Sequence, residues 1–207
     1  MSTANYTVLS GDIVGSSEQA GAQYDGLLYT LEQGLRALCE RFDGHFNIYR
    51  GDAFQCILGK APVPLQATLM LRLYLRSHAL DARVSEAIGP IDNYRQDVKT
   101  ATGAALMLSG KGLDTIKNKR LSLSLYQSPL SASFALNIRF LDHLINHTSQ
   151  KQAQALYWYH WLENKDHAAI AAQLGSSRAN VTKLLNAGQY HLLDEFLAVA
   201  AKEYTHE

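Results

Sequence analysis

The apolar positions of this chain change their period along its length. Residues 6–14, YTVLSGDIV, form a short, β-branched apolar run that reads as a buried strand. Gly15, Ser16 and Ser17 break it, and either serine can cap a following helix. From about 20 to 42, Leu27, Leu28, Leu31, Leu35 and Leu38 recur at helical spacing and predict an amphipathic helix. Asp43-Gly44 is a turn. Residues 45–49 and 54–58 read as two strands around Arg50-Gly51-Asp52, a hairpin with the aspartate at its bend. Pro62 and Pro64 open a second helix to about residue 78, with Arg72 and Arg76 one turn apart. Residues 82–88 read as a strand, 90–101 as a polar loop, 103–113 as a short helix and 121–126 as a last strand.

The order strand–helix–strand–strand–helix–strand, with a short helix and a strand appended, is the split βαβ or ferredoxin-like arrangement (βαββαβ). In it the first strand and the hairpin share one sheet. Asp12 and Asp52 are therefore expected on neighbouring strands near the same sheet edge, facing one another. After Pro129 the strand pattern stops. Residues 131–146 are helical, with Phe134, Ile138, Leu141 and Ile145 on one stripe, and QAQALYWYHWLE is a second helix. The segments KDHAAIAAQLG and SSRANVTKLLNAGQYHLLDEFLAVAA follow. The reading is α+β overall: an α/β domain over 1–128, a connector helix over 129–147 and an all-α domain over 148–207.

Composition narrows the classes. The chain has 207 residues and 47% apolar content, enough for one medium domain or two small ones. Nineteen basic and nineteen acidic residues cancel, so net charge points to no particular partner. Cys39 and Cys56 are far apart in sequence and sit in apolar runs, which reads as two buried free thiols in a reducing cytoplasm. The longest apolar stretch, 69–75, is interrupted by Arg72, so no membrane span is expected.

Two constellations carry chemistry. The first is the pair Asp12 and Asp52. Hard cations such as Mg²⁺ take one or two carboxylates plus waters and substrate phosphates, and two metals can clamp a displacement at phosphorus. The IVGSS segment between them is expected to aim its backbone N–H groups, Ile13 to Ser17, at an anion, helped by a helix N-terminus. The ordered segments SGDIVGSS, YRGDAFQCIL, ARVSEAIGPID and ATGAALMLSGKGLD resemble the signatures of class III nucleotide cyclase catalytic domains, with a closer likeness to the bacterial SatD-type family, over roughly 5–126. The resemblance implies that Asp12 and Asp52, with Ile13 beside them, hold Mg²⁺ or Mn²⁺. It implies a phosphate-binding loop of Val14, Gly15, Ser16 and Ser17 completed by Gly51, and a site formed between two subunits. The chain departs from the pattern in three places. An apolar residue near Met107 stands where such cyclases carry a ribose-orienting Asn. Lys111 stands nearest the place of their transition-state Arg, without the planar fork that grips a phosphate twice. FNIY lacks the base-reading Lys. The departures imply nucleotide binding without cyclisation; the alternative is an active cyclase or nucleotidyltransferase using two metals, with Lys111 as its one candidate catalytic residue. A plain turn role for the aspartates, or an ion pair with Arg50 or Arg72, is the structural reading set beside these.

The second constellation is HAAIAAQLGSSRANVTKLL. Ala171 is small where two helices cross, Gly175 lies four residues on at a turn that needs positive φ, and Val181 lies six further. Ile170, Leu174 and Leu184 complete the seam. The spacing is that of a helix-turn-helix and resembles the last helical region of bacterial sigma factors. Ser176 or Ser177 would cap the recognition helix. Ser177, Arg178, Asn180, Thr182 and Lys183 face outward, Arg suited to guanine, Asn to adenine, and the others to phosphate. Six Lys/Arg against seven Asp/Glu over 129–207 make the electrostatic contribution weak. A homodimer would combine two weak half-site readers.

Other signals have ordinary readings. His143 and His147 are four apart, as zinc ligands can be, but without a third ligand nearby in sequence. Tyr157 and Trp161 share a helical face with Leu156 and Leu162, so packing outweighs base stacking. KNKR at 117–120 reads as a solvated turn. The resulting expectation is a cytoplasmic, bacterial-type, DNA-binding transcriptional regulator whose cyclase-like domain binds a nucleotide with a divalent metal.

Overall fold

The computed structural model describes residues 5–49, 51–59, 63–94 and 97–205. Five strands form one mixed sheet in an α+β fold: β1 (Asn5–Ile13), β2 (Gly44–Tyr49), β3 (Ala53–Leu58), β4 (Ala82–Pro90) and β5 (Leu121–Leu125). The order across the sheet is β2-β3-β1-β4-β5, with β1 antiparallel to both β3 and β4, and β5 parallel to β4. The first four strands thus take the order of the split βαβ unit, and β5 extends it. The helices are α1 (Ala22–Phe42), α2 (Gln66–Ser77), α3 (Ala104–Thr115), α4 (Ala132–His147), α5 (Gln150–Trp161), α6 (His167–Leu174), α7 (Arg178–Ala187) and α8 (Tyr190–Thr205). No helix among the described residues is long and apolar enough to cross a membrane.

Side-chain alternation divides the sheet into two unlike faces. Leu9 and Ile13 of β1, Phe54, Cys56 and Leu58 of β3, and Ala82 and Val84 of β4 pack against the leucine stripe of α1 and against Met70, Leu71 and Leu75 of α2. Val8, Ile57 and Ala105 meet on the opposite face, where α3 lies. Asp12 shares the parity of Val8, so it belongs to this second, more polar face. A further cluster joins Leu69, Leu73, Ile88, Leu121 and Leu123 to Phe134, Ile138, Leu156, Val181 and Leu193, so apolar packing runs without a break from the sheet layer into the C-terminal helices.

Several local readings differ from the pattern-based ones. Gly15–Ser17 do not lead directly into α1. A single 3₁₀ turn over Ser16–Glu18 intervenes, no side chain caps it, and Gly21 rather than a serine precedes α1. Pro62 lies outside the described residues, and α2 begins after Leu65, whose N–H donates to Glu86 Oε1 at 2.7 Å. Thr68 Oγ1 donates to Glu86 Oε2 at 2.6 Å, so a fully buried glutamate on β4 caps this helix from across the fold. Burial first of all holds that carboxyl well above its ordinary 4.5, at about 7, against the pull of the hydrogen bonds from the Thr68 side chain and from the Leu65 and Thr68 backbone. Cys39 and Cys56, remote in sequence, meet with their sulfurs 3.6 Å apart as free thiols. The Cys39 hydrogen bond and burial push the Cys56 pKa upward, which disfavours its thiolate.

Arg72 interrupts the apolar run of α2 because it serves a buried ionic cluster. It is fully buried, its Nε and Nη2 donate to both oxygens of Asp81 at 2.9 Å each, and its Nη1 donates to Asp142 Oδ1 at 2.8 Å. Arg76 Nη1 and Arg120 Nη1 also reach Asp81, at 3.0 and 2.7 Å, and Arg76 donates to the carbonyls of Asn146 and Thr148. The segment KNKR therefore ends in a structural arginine rather than in a wholly solvated turn. Burial alone would raise the Asp81 pKa; the hydrogen bonds and charge of Arg72, then Arg120, outweigh it and hold the pKa below the ordinary value. The cluster ties α2, the start of β4 and the start of β5 to the end of α4.

Candidate functional site

The carboxylate of Asp12 stands at the end of β1, and the β1/β4 register sets Arg83 directly across from it. Arg83 takes both its oxygens: Nε donates to Oδ1 at 2.8 Å and Nη2 to Oδ2 at 2.6 Å. This is the planar two-point grip that a guanidinium makes with a carboxylate or a phosphate. The ion-pair partner is thus Arg83, not Arg72, which is committed to Asp81 and Asp142; Arg50 lies outside the described residues. Nothing in the ARVSEAIGPID segment itself sets Arg83 apart from the other arginines of the chain. The cross-strand register opposite Asp12 is the signal that finds it, and register is a property of the folded sheet.

Asp52 sits in the bend between β2 and β3, and its Oδ2 accepts the Ile13 N–H at 2.7 Å. The second aspartate is thus held on the backbone next to the first. Two glycines make this possible. Gly51 has φ +87°, and a Cβ there would lie 2.5 Å from Tyr24 Oη. A Cβ on Gly11 would lie 2.5 Å from both the Arg83 carbonyl and the Phe54 ring, so the SGD and RGD glycines serve close approach and turn formation respectively.

Asp12, Asp52, Arg83 and the loop Ile13–Ser17 line one pocket of about 380 Å³. The expected anion cradle of five N–H groups is smaller than the sequence suggests. The Ile13 N–H is held by Asp52 and the Val14 N–H by the Asp81 carbonyl at 2.8 Å, so Gly15, Ser16 and Ser17 carry the N–H groups that remain. Gly15 adopts φ +75°, which turns the loop. The Asp12 hydrogen bonds and charge, with a smaller contribution from Asp52, raise the Arg83 pKa, so the guanidinium stays charged. Two carboxylates and one guanidinium leave the pocket one negative charge.

The donor set suits a hard divalent cation in type: two carboxylates, with space for phosphate and water ligands. Among the described residues no cluster of three or more His, Cys, Asp or Glu completes a cation cage, so such an ion would need ligands from a bound phosphate. Lys111 is exposed on α3 and does not line the pocket, and Met107 is 62% exposed on the same helix. His143 and His147 stack at 4.0 Å on the exposed side of α4.

The second constellation lies on α6, the turn and α7. Gly175 ends α6 at φ +56°, and Ser177 Oγ accepts the Asn180 N–H at 3.2 Å, so Ser177 rather than Ser176 is the cap. Ser176 Oγ accepts from Asn180 Nδ2 at 2.9 Å. Thr182 is not free for an outside partner: Oγ1 donates to the Arg178 carbonyl at 3.0 Å and meets His167 Nδ1 at 2.8 Å. Arg178, Asn180 and Lys183 are exposed as expected, and Ala179 and Asn186 join them. On α5, Leu156 and Tyr159 are buried in the helical core, while Tyr157 and Trp161 are half-buried and stack on each other at 5.6 Å. Arg41 lies over Trp161 and donates to its carbonyl.

No family model matches the chain, and no curated protein matches it. Solved structures with a similar chain path include nucleotide cyclase domains. A bacterial light-regulated adenylyl cyclase is 13% identical, covering 59% of this chain and 77% of that one, with a TM-score of 0.44. The adenylyl cyclase CyaB from P. aeruginosa is 18% identical, with 55% and 72% covered and a TM-score of 0.40. The active GGEEF domain of a diguanylate cyclase from Vibrio cholerae is 14% identical, with 60% and 85% covered and a TM-score of 0.45. At these scores the likeness is one of fold outline and assigns no residue a role.

Proposed function

We propose that this protein is a DNA-binding regulator that takes a nucleotide phosphate chain, together with Mg²⁺ or Mn²⁺, in the pocket of Asp12, Asp52 and Arg83. One observation supports the nucleotide part: two carboxylates from opposite ends of the α1–β2 excursion meet a guanidinium and a glycine-serine loop in a single cleft. Arg83 grips a carboxylate in the geometry that grips a phosphate, so an incoming phosphate competes with Asp12 for it. Releasing Asp12 frees its oxygens for a cation, which neutralises the two carboxylates that would otherwise repel the ligand. When bound, the cation supplies charge neutralisation and a template for the phosphates. Val14, Gly15, Ser16 and Ser17 shape the wall against which the chain of phosphates lies, while Gly51, which does not line the pocket, turns the hairpin that presents Asp52. In this reading residues 1–128 bind nucleotide, 129–147 connect and 148–207 bind DNA, with the protein in the cytoplasm and paired with a second copy.

Signal passes through packed groups. The loop is tied to Asp81 through the Val14 N–H, and the Asp81 carboxylate holds Arg72, Arg76 and Arg120, which engage Asp142, Asn146 and Thr148 at the end of α4. A ligand shifts the α6–α7 pair through this route only if it binds two arrangements with different affinity. Ser176, Ser177, Arg178, Asn180 and Lys183 form the DNA-facing surface of α6–α7, and Thr182 keeps that surface in place from behind.

The test is calorimetric titration with ATP and GTP, each with and without Mg²⁺ or Mn²⁺. Binding that requires the metal and is lost in Asp52→Ala, with the circular dichroism unchanged, is expected; binding equal in both proteins refutes the assignment. For DNA, Arg178→Ala is expected to weaken binding to a selected sequence by about 1–3 kcal/mol. The two-carboxylate pocket also favours a second reading, an active cyclase or nucleotidyltransferase. Pyrophosphate release from a nucleoside triphosphate that disappears in Asp12→Ala would establish it.

A further inference from the structure

We infer that Cys39 and Cys56 form an oxidation site that a small neutral hydroperoxide converts into an intramolecular disulfide. They are the only two cysteines of the chain, and their sulfurs lie 3.6 Å apart, in direct contact. Cys39 belongs to the buried stripe of α1 with Leu35 and Leu38, and Cys56 to the buried positions of β3 with Phe54 and Leu58. The packing of helix on strand therefore sets the meeting of two residues that sequence separates. A disulfide bond is about 2.05 Å long, so the two sulfurs need to close by a further distance of about 1.5 Å.

The pair has an outer and an inner member. Cys39 is 9% exposed and lines an open cavity of about 460 Å³. Cys56 is fully buried behind it, flanked across the sheet by Leu9 and Phe46. Its hydrogen bond to Cys39, and then burial, keep the Cys56 thiol protonated. An oxidant arriving through the cavity meets Cys39 first, and Cys56 is placed to attack the oxidised sulfur. The cavity also selects the oxidant. Three carboxylates line it, those of Glu40, Asp43 and Asp97, against His45 and an Arg36 already paired with Glu32. Such a wall repels an anion such as glutathione disulfide and admits a neutral hydroperoxide.

The reaction has two steps. The Cys39 sulfur attacks one oxygen of the hydroperoxide, the O–O bond breaks, and the thiol proton leaves with the other oxygen as water or an alcohol. Cys39 is then a sulfenic acid. The Cys56 sulfur attacks the Cys39 sulfur, the S–O bond breaks, and the hydroxyl departs with the Cys56 proton as water. The two thiols give up two electrons and two hydrogens, and the peroxide takes up both electrons. The new bond closes residues 39–56 into a covalent ring that includes β2 and the hairpin carrying Asp52. That ring restricts the unfolded chain.

The test treats the folded full chain with millimolar hydrogen peroxide at neutral pH, then alkylates it and reads intact mass and tryptic peptides. The wild type should lose about 2 Da, the two thiol hydrogens, with both alkylatable thiols gone and a Cys39–Cys56 crosslinked peptide present. Dithiothreitol should reverse all three. Cys56→Ser should stop at the sulfenic acid and take a dimedone label on Cys39, and Cys39→Ala should leave Cys56 unmodified. Glutathione disulfide should give no adduct. The wild-type measurement decides the matter even where a core variant fails to fold. Two thiols still alkylatable after hours of peroxide overturn the inference. So does a Cys39 that gains about 32 Da as sulfinic acid while Cys56 stays reduced. A crosslink between chains on a non-reducing gel overturns it as well, as does a glutathione adduct, which would show that the cavity does not exclude anions.

Discussion

Glu86 makes the stability of this protein depend on pH in an unusual direction. Its carboxyl lies fully buried between β4 and α2, with Leu65 N–H and Thr68 Oγ1 as hydrogen-bond donors. Its pKa in the folded protein is about 7, against an ordinary 4.5. Below pH 4.5 the group is protonated in both folded and unfolded chains and contributes no slope. Between 4.5 and 7 the unfolded chain releases the proton and the folded chain keeps it, so rising pH favours the unfolded state. The slope is about 1.4 kcal/mol per pH unit, and the span of about 2.5 units gives a loss on the order of 3 kcal/mol. Above 7 both states are ionised and the slope vanishes. Glu86→Gln keeps one acceptor for the α2 cap and removes the titration. Urea unfolding of both proteins at half-unit steps from pH 4.5 to 8 isolates the effect as a difference curve. Wild-type stability minus variant stability should fall by about 3 kcal/mol across that window and then level off. A flat difference curve, or one that rises with pH, refutes the assignment of a proton to this carboxyl.

His160 runs the other way. Burial holds its pKa down at about 4, and Nε2 has no partner among the described residues, so the ring is neutral in the fold. Stability should be lost as pH falls from about 6.5 to 4, and His160→Gln should remove that loss in the same urea series. Arg72→Met leaves the buried Asp142 carboxylate without its cationic partner and takes two hydrogen bonds from Asp81, which keeps Arg76 and Arg120; it should cost about 3–5 kcal/mol by chemical denaturation. Arg83→Met removes the counter-charge from Asp12, so Mn²⁺ alone should bind more tightly by calorimetry while triphosphate with metal binds less tightly. If both affinities fall together, Arg83 is only a structural partner of Asp12.

Local pattern carried the secondary structure well where one face of an element is apolar and the other is not. The leucine stripe of α1 and the Phe134–Ile138–Leu141–Ile145 stripe of α4 each specify their element and its buried face, because amphipathic periodicity is a local property. The same logic read Asp12 and Asp52 as near neighbours from strand order alone. It failed where an interaction closes over long separation. Ser16 and Ser17 look like helix caps, yet the chain makes one 3₁₀ turn and starts α1 at Ala22, after Gly21. Arg72 looks like an interruption, and is the centre of a buried charge cluster 70 residues from Asp142. Thr182 looks like a surface contact, and turns toward His167.

By itself, then, the amino-acid order determined which segments pair into one sheet, which become helices and which residue types reach the β1 and hairpin ends. The tertiary structure alone decided the chemistry of those ends. Arg83 faces Asp12 because of strand register, and Asp52 caps the Ile13 N–H because Gly51 turns the hairpin beside it. The two raised and lowered proton affinities at Glu86 and His160 arise from burial among residues distant in the chain. Charge, desolvation and register depend on what surrounds a side chain in three dimensions, and no window of sequence contains that.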